Sequence, residues 1–512
     1  MDERKMNLPR VMFAAPASGS GKTLITCGFL KALKNRGVHA ASFKCGPDYI
    51  DPMFHQTVLG IPARNLDTFF TDTETTRYLF GRAARNAEIS VLEGVMGYYD
   101  GAGADTTTAS SYELANVTET PVILIVNAKG MGLSVVPLIQ GFIGYRQDSH
   151  IAGVILNQVS SMVYKKLKQK IEQELSVPVF GYVPRCPELV VESRHLGLVL
   201  PEEVKDIQEK LQKFSELLIE TVEIEKIISC AKKAPELEWG MPKSLELSIK
   251  IAKEGGLFYG SQGTSQFRKK EENRCIHRSR EKGQGFPQYK LQGNVCALQI
   301  GIAKDEAFCF MYQDNLELLK ELGAELVYFS PVHDVCLPSQ LDGVILYGGY
   351  PELYAKRLSQ NSSMRKSVKN KIRQGLPFLA ECGGFMYLQE SMEDMEGNVW
   401  EMAGVFAGKA YWTKKLGRFG YLTLTARSHG QILRQEDTVN GHEYHYFDCT
   451  QNGSNYCAKK PFGTKEWECM QGQGHYAAGF PHLYYYSNPR FLAGFLQQCR
   501  KYAAARRENP FC

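Results

Sequence analysis

The sequence predicts an α/β protein with two successive α/β regions. Short, continuously apolar segments alternate with amphipathic ones up to about residue 228, which is typical of a parallel sheet with helices on both faces. A glycine-rich loop follows the first apolar segment, at the place where a phosphate-binding loop would lie. The alternation stops over 230–295 and then resumes, which predicts a second α/β domain.

The first region is predicted to be a P-loop parallel-sheet domain with right-handed crossovers between its strands. The predicted strands are 10–15, 40–44, 89–94, 122–127 and 151–157. A helix over 23–35 is predicted to follow the glycine-rich loop directly.

The second region is predicted to start with a strand over 295–303, followed by a helix near 315–322. Further strands are predicted over 341–347 and 377–381, and the segment 400–486 is predicted to be mostly β. Lys, Gly, Ser and Gln dominate from 253 to 294, so this segment is predicted to be a partly flexible insertion. The predicted units are therefore 1–229, a linker or insertion over 230–295, and 296–512.

The composition is that of an ordinary globular protein, with 44% apolar and 22% charged residues. No apolar run approaches the roughly 18–20 residues of a membrane span. The charged start of the chain has no apolar segment typical of a secretion signal, so the cytoplasm is the expected location. The 14 cysteines are scattered without a CxxC pair, which favours reduced thiols.

Positive charge is concentrated between Arg268 and Lys282, where seven Lys or Arg residues accompany three Glu. Such a tract could contact nucleic acid. A solvated loop is the better interpretation, because charge runs without apolar periodicity usually stay hydrated. We therefore expect no nucleic-acid and no membrane partner.

The loop Ala15–Thr23 reads Ala-Pro-Ala-Ser-Gly-Ser-Gly-Lys-Thr and predicts a nucleotide phosphate site. Backbone N–H groups around Gly19, Ser20 and Gly21 can surround phosphate oxygens, and the helix dipole favours their charge. Lys22 supplies a cation to the terminal phosphates, and Thr23 offers a hydroxyl to magnesium. Pro16 stands where the strict motif has glycine, but the Gly-Ser-Gly-Lys-Thr core is intact.

Polar residues also end two later strands, at the edge where open parallel sheets bind ligands. Asp48 and Glu93 are candidate magnesium ligands, because carboxylate oxygens suit this ion. Lys44 is a candidate for stabilising charge on a transferred phosphoryl group.

A thiol site is predicted at Ala380-Glu381-Cys382-Gly383-Gly384, directly after a strand. A tight turn there can present Cys382, while the N–H of Gly383 and one from Gly349 form an oxyanion hole. A nucleophilic cysteine needs a base. The residues alone leave five candidate bases open: His429, His442, His445, His475 and His482.

Together these segments resemble the cobyrinate a,c-diamide synthase family over nearly the whole chain except about 230–295. The most specific marker is Lys-Cys-Gly-Pro-Asp-Tyr-Ile-Asp-Pro at 44–52, combined with the Cys-Gly-Gly turn. The other matching segments are 15–23, 65–67, 93–97, 348–352 and 441–446.

The resemblance implies a dethiobiotin-synthetase-like ATPase joined to a class I glutamine amidotransferase of the Cys-His type. It implies a ligase that amidates the a and c carboxylates of cobyrinate in cobalamin biosynthesis, through an acyl phosphate and with ammonia from glutamine. ATP and Mg²⁺ are the implied nucleotide and metal, and the implied partners are ATP, glutamine and a tetrapyrrole carboxylate. A homodimer is compatible with this set.

The resemblance also assigns two residues. The family's adenine-contacting asparagine falls on Asn157, and its base histidine falls on His482. The sequence departs from the family around that histidine, because Phe480 replaces the usual Tyr and Tyr484 replaces a second His.

Two other functions are weighed against this one. Nickel-sirohydrochlorin a,c-diamide synthase of methanogens is a close relative with the same machinery. A partitioning-type ATPase switch is a distant alternative, and the glycine-flanked Cys382 argues against it.

Overall fold

The computed structural model describes residues 4–186, 201–253, 297–429, 432–435 and 437–508. The basic tract between Arg268 and Lys282 lies outside them. Within the described residues, no helix combines the length and apolarity that a membrane crossing requires.

The N-terminal half is built on a seven-stranded, wholly parallel sheet in the order β4-β3-β5-β2-β6-β7-β8. Its elements are β1 (Arg4–Met6), β2 (Arg10–Ala14), α1 (Lys22–Asn35), β3 (Ala40–Cys45), α2 (Ile50–Thr57), β4 (Ala63–Leu66), α3 (Thr73–Ala84), β5 (Ile89–Glu93), α4 (Ser111–Val117), β6 (Val122–Asn127), α5 (Val135–Gly144), β7 (Ile151–Asn157), α6 (Ser161–Leu175), β8 (Val179–Val183), α7 (Pro201–Thr221), α8 (Ile224–Lys232), β9 (Leu237–Trp239) and α9 (Lys243–Lys253).

The predicted strands and the predicted first helix are confirmed to within one or two residues. The sequence does not predict β4 and β8, which form the two edges of the sheet. Edge strands need less apolar sequence than central ones, and β4 contains Arg64 and Asn65. This reason does not apply to β8, whose sequence Val-Phe-Gly-Tyr-Val is apolar.

The C-terminal half contains a six-stranded sheet in the order β12-β10-β13-β15-β25-β24, parallel except for the edge strand β24. Its elements are β10 (Leu298–Ala303), β11 (Phe308–Phe310), α10 (Gln313–Glu321), β12 (Ala324–Phe329), β13 (Gly343–Leu346), β14 (Gly348–Gly349), a 3₁₀ turn (Pro351–Tyr354), α11 (Ala355–Gln360), α12 (Ser362–Arg373), β15 (Phe378–Glu381), α13 (Gly383–Tyr387), β16 (Ser391–Glu393), β17 (Val399–Glu401), β18 (Lys409–Trp412), β19 (Phe419–Ala426), β20 (Thr438–Tyr444), β21 (Phe447–Cys449), β22 (Tyr456–Lys459), β23 (Glu466–Cys469), β24 (Gln471–Gln473), β25 (Tyr476–Gly479), β26 (His482–Leu483), a 3₁₀ turn (Tyr485–Ser487) and α14 (Pro489–Glu508).

Two further sheets flank this core, in the orders β17-β16-β18-β21 and β23-β22-β19-β20-β26. The prediction of a second α/β region with a mostly β segment is confirmed.

The predicted linker over 230–295 begins with ordered elements. Its boundary at 229/230 falls inside α8, β9 pairs with β1, and α9 packs against α14. Leu237, Leu245 and Ile249 are buried, so this part of the chain has the apolar spacing of a packed segment. Residues 254–296 lie outside the described part of the chain.

The two halves are joined by ion pairs and hydrogen bonds from β4, α3 and the turn between them. Arg64 Nη1 lies 2.7 Å from Asp314 Oδ1, and Arg82 Nη2 lies 2.9 Å from Glu317 Oε2. Tyr421 donates to Asp67 Oδ2 at 2.8 Å. These contacts join the two halves, and residues of the phosphate loop and of the thiol turn line one cavity.

Candidate active site

The phosphate loop lies between β2 and α1. Gly19 and Gly21 have φ values of 74° and 93°, a region that favours glycine. A Cβ on Gly21 would lie 2.3 Å from Asn157 Nδ2, so no side chain fits there. Lys22 is buried and donates to the carbonyl of Met96 at 2.5 Å. Burial, followed by the charge of Lys44, lowers the pKa of Lys22, and both effects favour an anionic ligand beside it.

Lys44 lies at the centre of a buried carboxylate cluster. Its Nζ donates to Glu93 Oε1 at 2.9 Å and to Asp51, and lies 3.9 Å from Asp48 Oδ2. Burial alone would lower the pKa of Lys44, but the charges of Glu93, Asp51 and Asp48 raise it well above its ordinary value. Asp51 carries no predicted role, although it lies in the matching segment 44–52.

The three predicted magnesium ligands are only partly assembled. Thr23 Oγ1 donates to Glu93 Oε1 at 2.6 Å, and Glu93 Oε2 is buried without a hydrogen-bond partner. Asp48 connects to this pair through Lys44. Within the described residues, no group of three His, Cys, Asp or Glu side chains is arranged to hold a metal ion. The hard oxygens of Thr23 and Glu93 fit Mg²⁺ only if phosphate or water oxygens complete its coordination.

Asn157 lines the same cavity but is engaged by the loop itself. Its Nδ2 donates to the Ser20 carbonyl at 2.8 Å, and its Oδ1 accepts from the N–H of Gln158 at 2.9 Å. An adenine contact would have to replace or share these hydrogen bonds, so that role stays a prediction.

Cys382 stands at the turn between β15 and α13 with φ 46° and ψ −106°, a strained conformation for a residue with a side chain. Its backbone N–H donates to Gly479 at 2.7 Å, which holds the turn against β25. Burial and then the charge of Glu352 raise the pKa of the thiol, while the Gly383 N–H acts against them. The resting sulfur is therefore protonated at neutral pH and needs a base.

Of the five candidate bases, three are buried in the cavity that Cys382 lines: His442, His445 and His482. His429 is exposed, and His475 is only half-buried. A Cβ on Gly348 would lie 2.4 Å from His482 Cε1 and 3.4 Å from Cys382 Cβ. This glycine therefore allows the imidazole and the cysteine to approach each other.

The pKa of His482 is lowered well below its ordinary value, first by burial and then by His442 and His445. The ring of His442 stacks on that of His482 with centroids 5.0 Å apart. His482 is therefore neutral near pH 7 and able to accept a proton.

The structure also brings Gly349 and Gly383 together. A Cβ on Gly383 would lie 3.1 Å from the backbone nitrogen of Gly349. A Cβ on Gly349 would lie 2.2 Å from the Ala307 carbonyl. Two backbone N–H groups beside the Cys382 turn are what an oxyanion hole requires.

Glu381 is a functional candidate that the motif reasoning misses. Its Oε2 lies 4.0 Å from His482 Nδ1, which has no hydrogen-bond partner among the described residues. Tyr485 donates to Glu381 Oε1 at 3.0 Å, and burial raises the pKa of Glu381 to about 8. The available signal was an acidic residue at the last position of an apolar strand.

A single cavity of about 2550 Å³ connects the two centres. The phosphate loop contributes Lys22 to its wall, the carboxylate cluster contributes Lys44 and Asp48, and the thiol side contributes Cys382 and His482. A nucleotide-dependent activation and a thiol reaction can therefore share one cavity.

A P-loop α/β half and a Cys-His α/β half around one cavity define a glutamine-dependent ligase. The CobQ/CobB/MinD/ParA nucleotide binding domain profile matches residues 11–198, and the CobB/CobQ-like glutamine amidotransferase domain profile matches 299–482. The chain belongs to the cobyrinate a,c-diamide synthase family.

Family membership rests on relatives that match along almost their full length. The chain is 36% identical over 489 residues to a cobyrinate a,c-diamide synthase of Listeria innocua, covering 94% of this chain and 98% of that protein. It is also 36% identical to the Caldanaerobacter subterraneus protein of the same name, covering 96% and 98%, respectively. For the Priestia megaterium protein of that name, the identity is 33% and the coverage is 98% and 100%. The predicted family is confirmed. These full-length relatives are named cobyrinate a,c-diamide synthases, and none of the three is named as a partitioning ATPase.

Proposed function

We propose that this ligase amidates the a and c side-chain carboxylates of cobyrinate, using ATP and glutamine, in cobalamin biosynthesis. The observation that carries the proposal is the cavity in which the Lys22 and Lys44 cations face the same space as Cys382 and His482.

The N-terminal half supplies the leaving group. A carboxylate oxygen of the substrate attacks the γ-phosphorus of ATP, forming an acyl phosphate and releasing ADP. Lys22 and the N–H groups of Gly19 to Thr23 hold the phosphates, and Lys44 stabilises charge on the transferred group. Thr23 and Glu93, with Asp48 nearby, are the residues that would hold Mg²⁺, which neutralises phosphate charge when bound.

The C-terminal half supplies the nucleophile. The sulfur of Cys382 attacks the side-chain amide carbon of glutamine, while neutral His482 takes the thiol proton and passes it to the departing ammonia. Gly349 and Gly383 donate to the oxyanion, and water then hydrolyses the thioester to glutamate. Ammonia attacks the acyl carbon of the acyl phosphate and displaces phosphate.

The shared cavity gives a reason for both reactions to occur in one chain. Ammonia released into water becomes ammonium and loses its lone pair, and an acyl phosphate exposed to water hydrolyses. Release of ammonia into the cavity that also holds the acyl phosphate shortens the time for which either species meets bulk water.

The proposal keeps the cytoplasm as the location, where ATP, magnesium and a reduced Cys382 are available. A homodimer stays a prediction that sedimentation of the purified chain checks.

The purified chain should be incubated with ATP, magnesium, glutamine and either cobyrinate or nickel-sirohydrochlorin. We expect a mass decrease of about one unit for each carboxylate of cobyrinate that becomes an amide. Amidation of nickel-sirohydrochlorin but not cobyrinate would assign the substrate of the close relative instead. Failure to amidate either macrocycle would contradict the proposal.

A further inference from the structure

Three exposed aromatic rings form a continuous strip in the C-terminal half. The aromatic strip consists of Phe419, Tyr444 and Tyr446, which are 60%, 44% and 38% exposed. Phe419 and Tyr444 are cross-strand partners on β19 and β20, with ring centroids 5.6 Å apart, and Tyr446 follows at 5.9 Å. Adjacent exposed rings of this size commonly mark a binding surface.

The aromatic strip lines the cavity that contains the reaction centres. The pKa of Tyr444 is raised to about 12 by a hydrogen bond with Tyr446, by burial and in part by the charge of Asp48. The aromatic strip therefore lines the same cavity as Lys44 and Asp48.

A fourth exposed ring approaches the opposite half. Phe462 is 45% exposed and lines the cavity, and a Cβ on Gly103 would lie 3.7 Å from its Cδ2. Phe462 therefore extends the apolar wall to a loop of the N-terminal half.

Three basic side chains border the aromatic strip, and Glu443, which also lines the cavity, lies 4.0 Å from one of them, Arg418. Lys414 is exposed and lines the cavity, and Lys460 lines it beside Phe419, donating to the carbonyl of that residue. Arg418 lies next to the strip with its guanidinium 5.5 Å from the Trp467 ring centre. A rigid, flat ligand with several peripheral carboxylates matches apolar rings bordered by cations.

We propose that the aromatic strip and Phe462 bind one face of the tetrapyrrole macrocycle, while Lys414 and Lys460 pair with peripheral carboxylates that are not reacting. The carboxylate to be activated then reaches Lys44 and Asp48. This inference rests on the proposed function and adds to it a substrate-binding surface supplied by the glutaminase half.

The test replaces Phe419 and Tyr444 together by alanine in the full-length chain. Binding of cobyrinate is followed by titrating its visible absorbance, and its KM is measured at saturating ATP. We expect the Kd and the KM for cobyrinate to rise by about 10-fold or more, since each aromatic contact contributes about 0.5–1.5 kcal/mol beyond area burial. Tyr328→Ala is the matched control, because Tyr328 is 46% exposed on β12 and does not line this cavity.

The test is read from the affinity for cobyrinate and from the separate KM values for cobyrinate and ATP. Unchanged cobyrinate affinity in the double variant overturns the proposal, and so does a rise in the KM for ATP with the KM for cobyrinate unchanged. A wild-type chain that amidates no macrocycle would instead contradict the proposed function.

A charge variant covers the case in which the double variant does not fold. Lys414→Glu should raise the KM for cobyrinate several-fold at low salt and less at high salt, because screening weakens the pairing. Lys366→Glu on α12 is its control. Equal KM values for Lys414→Glu and wild type at low salt would overturn the assignment of Lys414.

Discussion

Tyr49, from the nucleotide half, lies against His482, the candidate base of the thiol site. Their ring centroids are 5.4 Å apart, and Tyr49 also stacks on Phe310 at 5.0 Å. Tyr49 follows Asp48, which lies 3.9 Å from Lys44, so one short segment touches both reaction centres. A change in the phosphate half can therefore reach the glutaminase base through one buried ring.

The first prediction is that Tyr49→Ala uncouples the two reactions. Without the ring, His482 loses a packing contact, and the space between the centres opens to water. We expect more than one glutamate per amide formed, against a ratio near one for the wild type. Both products are measured in the same reaction.

Tyr49→Phe is the matched control, since it keeps the ring and removes only the hydroxyl. A ratio that stays near one in Tyr49→Ala would show that this ring has no part in coupling.

The second prediction concerns Glu381, which we interpret as a positioning residue for His482. Burial raises the pKa of Glu381 to about 8, so this side chain is mostly a neutral acid near pH 7. As the pH rises through about 8 it becomes a carboxylate, which can stabilise the imidazolium that forms when His482 takes the thiol proton. Above about pH 8, Glu381→Gln should lower the glutamine-dependent kcat by about 10–100-fold, equivalent to about 1.4–2.7 kcal/mol, with little change in the KM for glutamine. Near pH 7 the fall should be smaller, because the wild-type side chain is then mostly uncharged. Steady-state kinetics at several pH values separate the two parameters.

Ammonia-dependent synthesis should be retained in Glu381→Gln, because that reaction bypasses the thiol. Partial recovery in Glu381→Asp would support a role for the charge. A fall in ammonia-dependent synthesis as large as the fall with glutamine would point to a structural role alone.

The third prediction is that Lys22→Ala stops amide formation with either nitrogen source. Lys22 is buried beside the carbonyl of Met96 and faces the cavity, so its loss removes the cation that would bind the terminal phosphates. The release of ADP and of amide are both measured with glutamine and with ammonium. Normal turnover by this variant would exclude the phosphate site.

The fourth prediction is that the free energy of unfolding depends on pH through Asp67, which lies at the contact between the two halves. Burial raises the pKa of Asp67 to about 6, despite the hydrogen bond from Tyr421. The folded state therefore holds this proton more tightly than the unfolded state, so the stabilisation is complete below about pH 4 and is lost as pH rises through about 6.

Asp67→Asn removes this titration. The free energy of unfolding of wild type relative to Asp67→Asn should fall by roughly 1–3 kcal/mol between pH 4 and pH 8. Denaturant unfolding at the two pH values measures it. A difference that is the same at both would show that Asp67 does not titrate as a buried acid.

Local chemistry determined how much of the site could be predicted. The phosphate loop and the Cys382 turn depend on a strand, a tight turn and a helix, all encoded within a few residues. The position of His482 was different, because five histidines remained open until the family resemblance selected one. Asp51 lies inside the matching segment 44–52, but the sequence does not predict a role for it. The structure shows that Asp51 accepts a hydrogen bond from the buried Lys44 and belongs to the same charge cluster.

The sequence alone does not predict contacts between segments that are distant in the chain. Tyr49 and His482 are more than 400 positions apart, and no periodicity links them. The sequence also does not predict the ordered segment around Leu245 and Ile249. These residues are buried, and their helix packs against α14, which is distant in sequence. Secondary-structure propensity depends on the segment alone, whereas tertiary packing can override it.

The most direct test of cooperation between the halves is amide formation by Cys382→Ser, measured with glutamine and with a high concentration of ammonium salt. The account predicts no amide with glutamine and near wild-type formation with ammonium, because the phosphate half remains complete. Loss of both activities in a variant that folds normally would contradict it, as would undiminished use of glutamine.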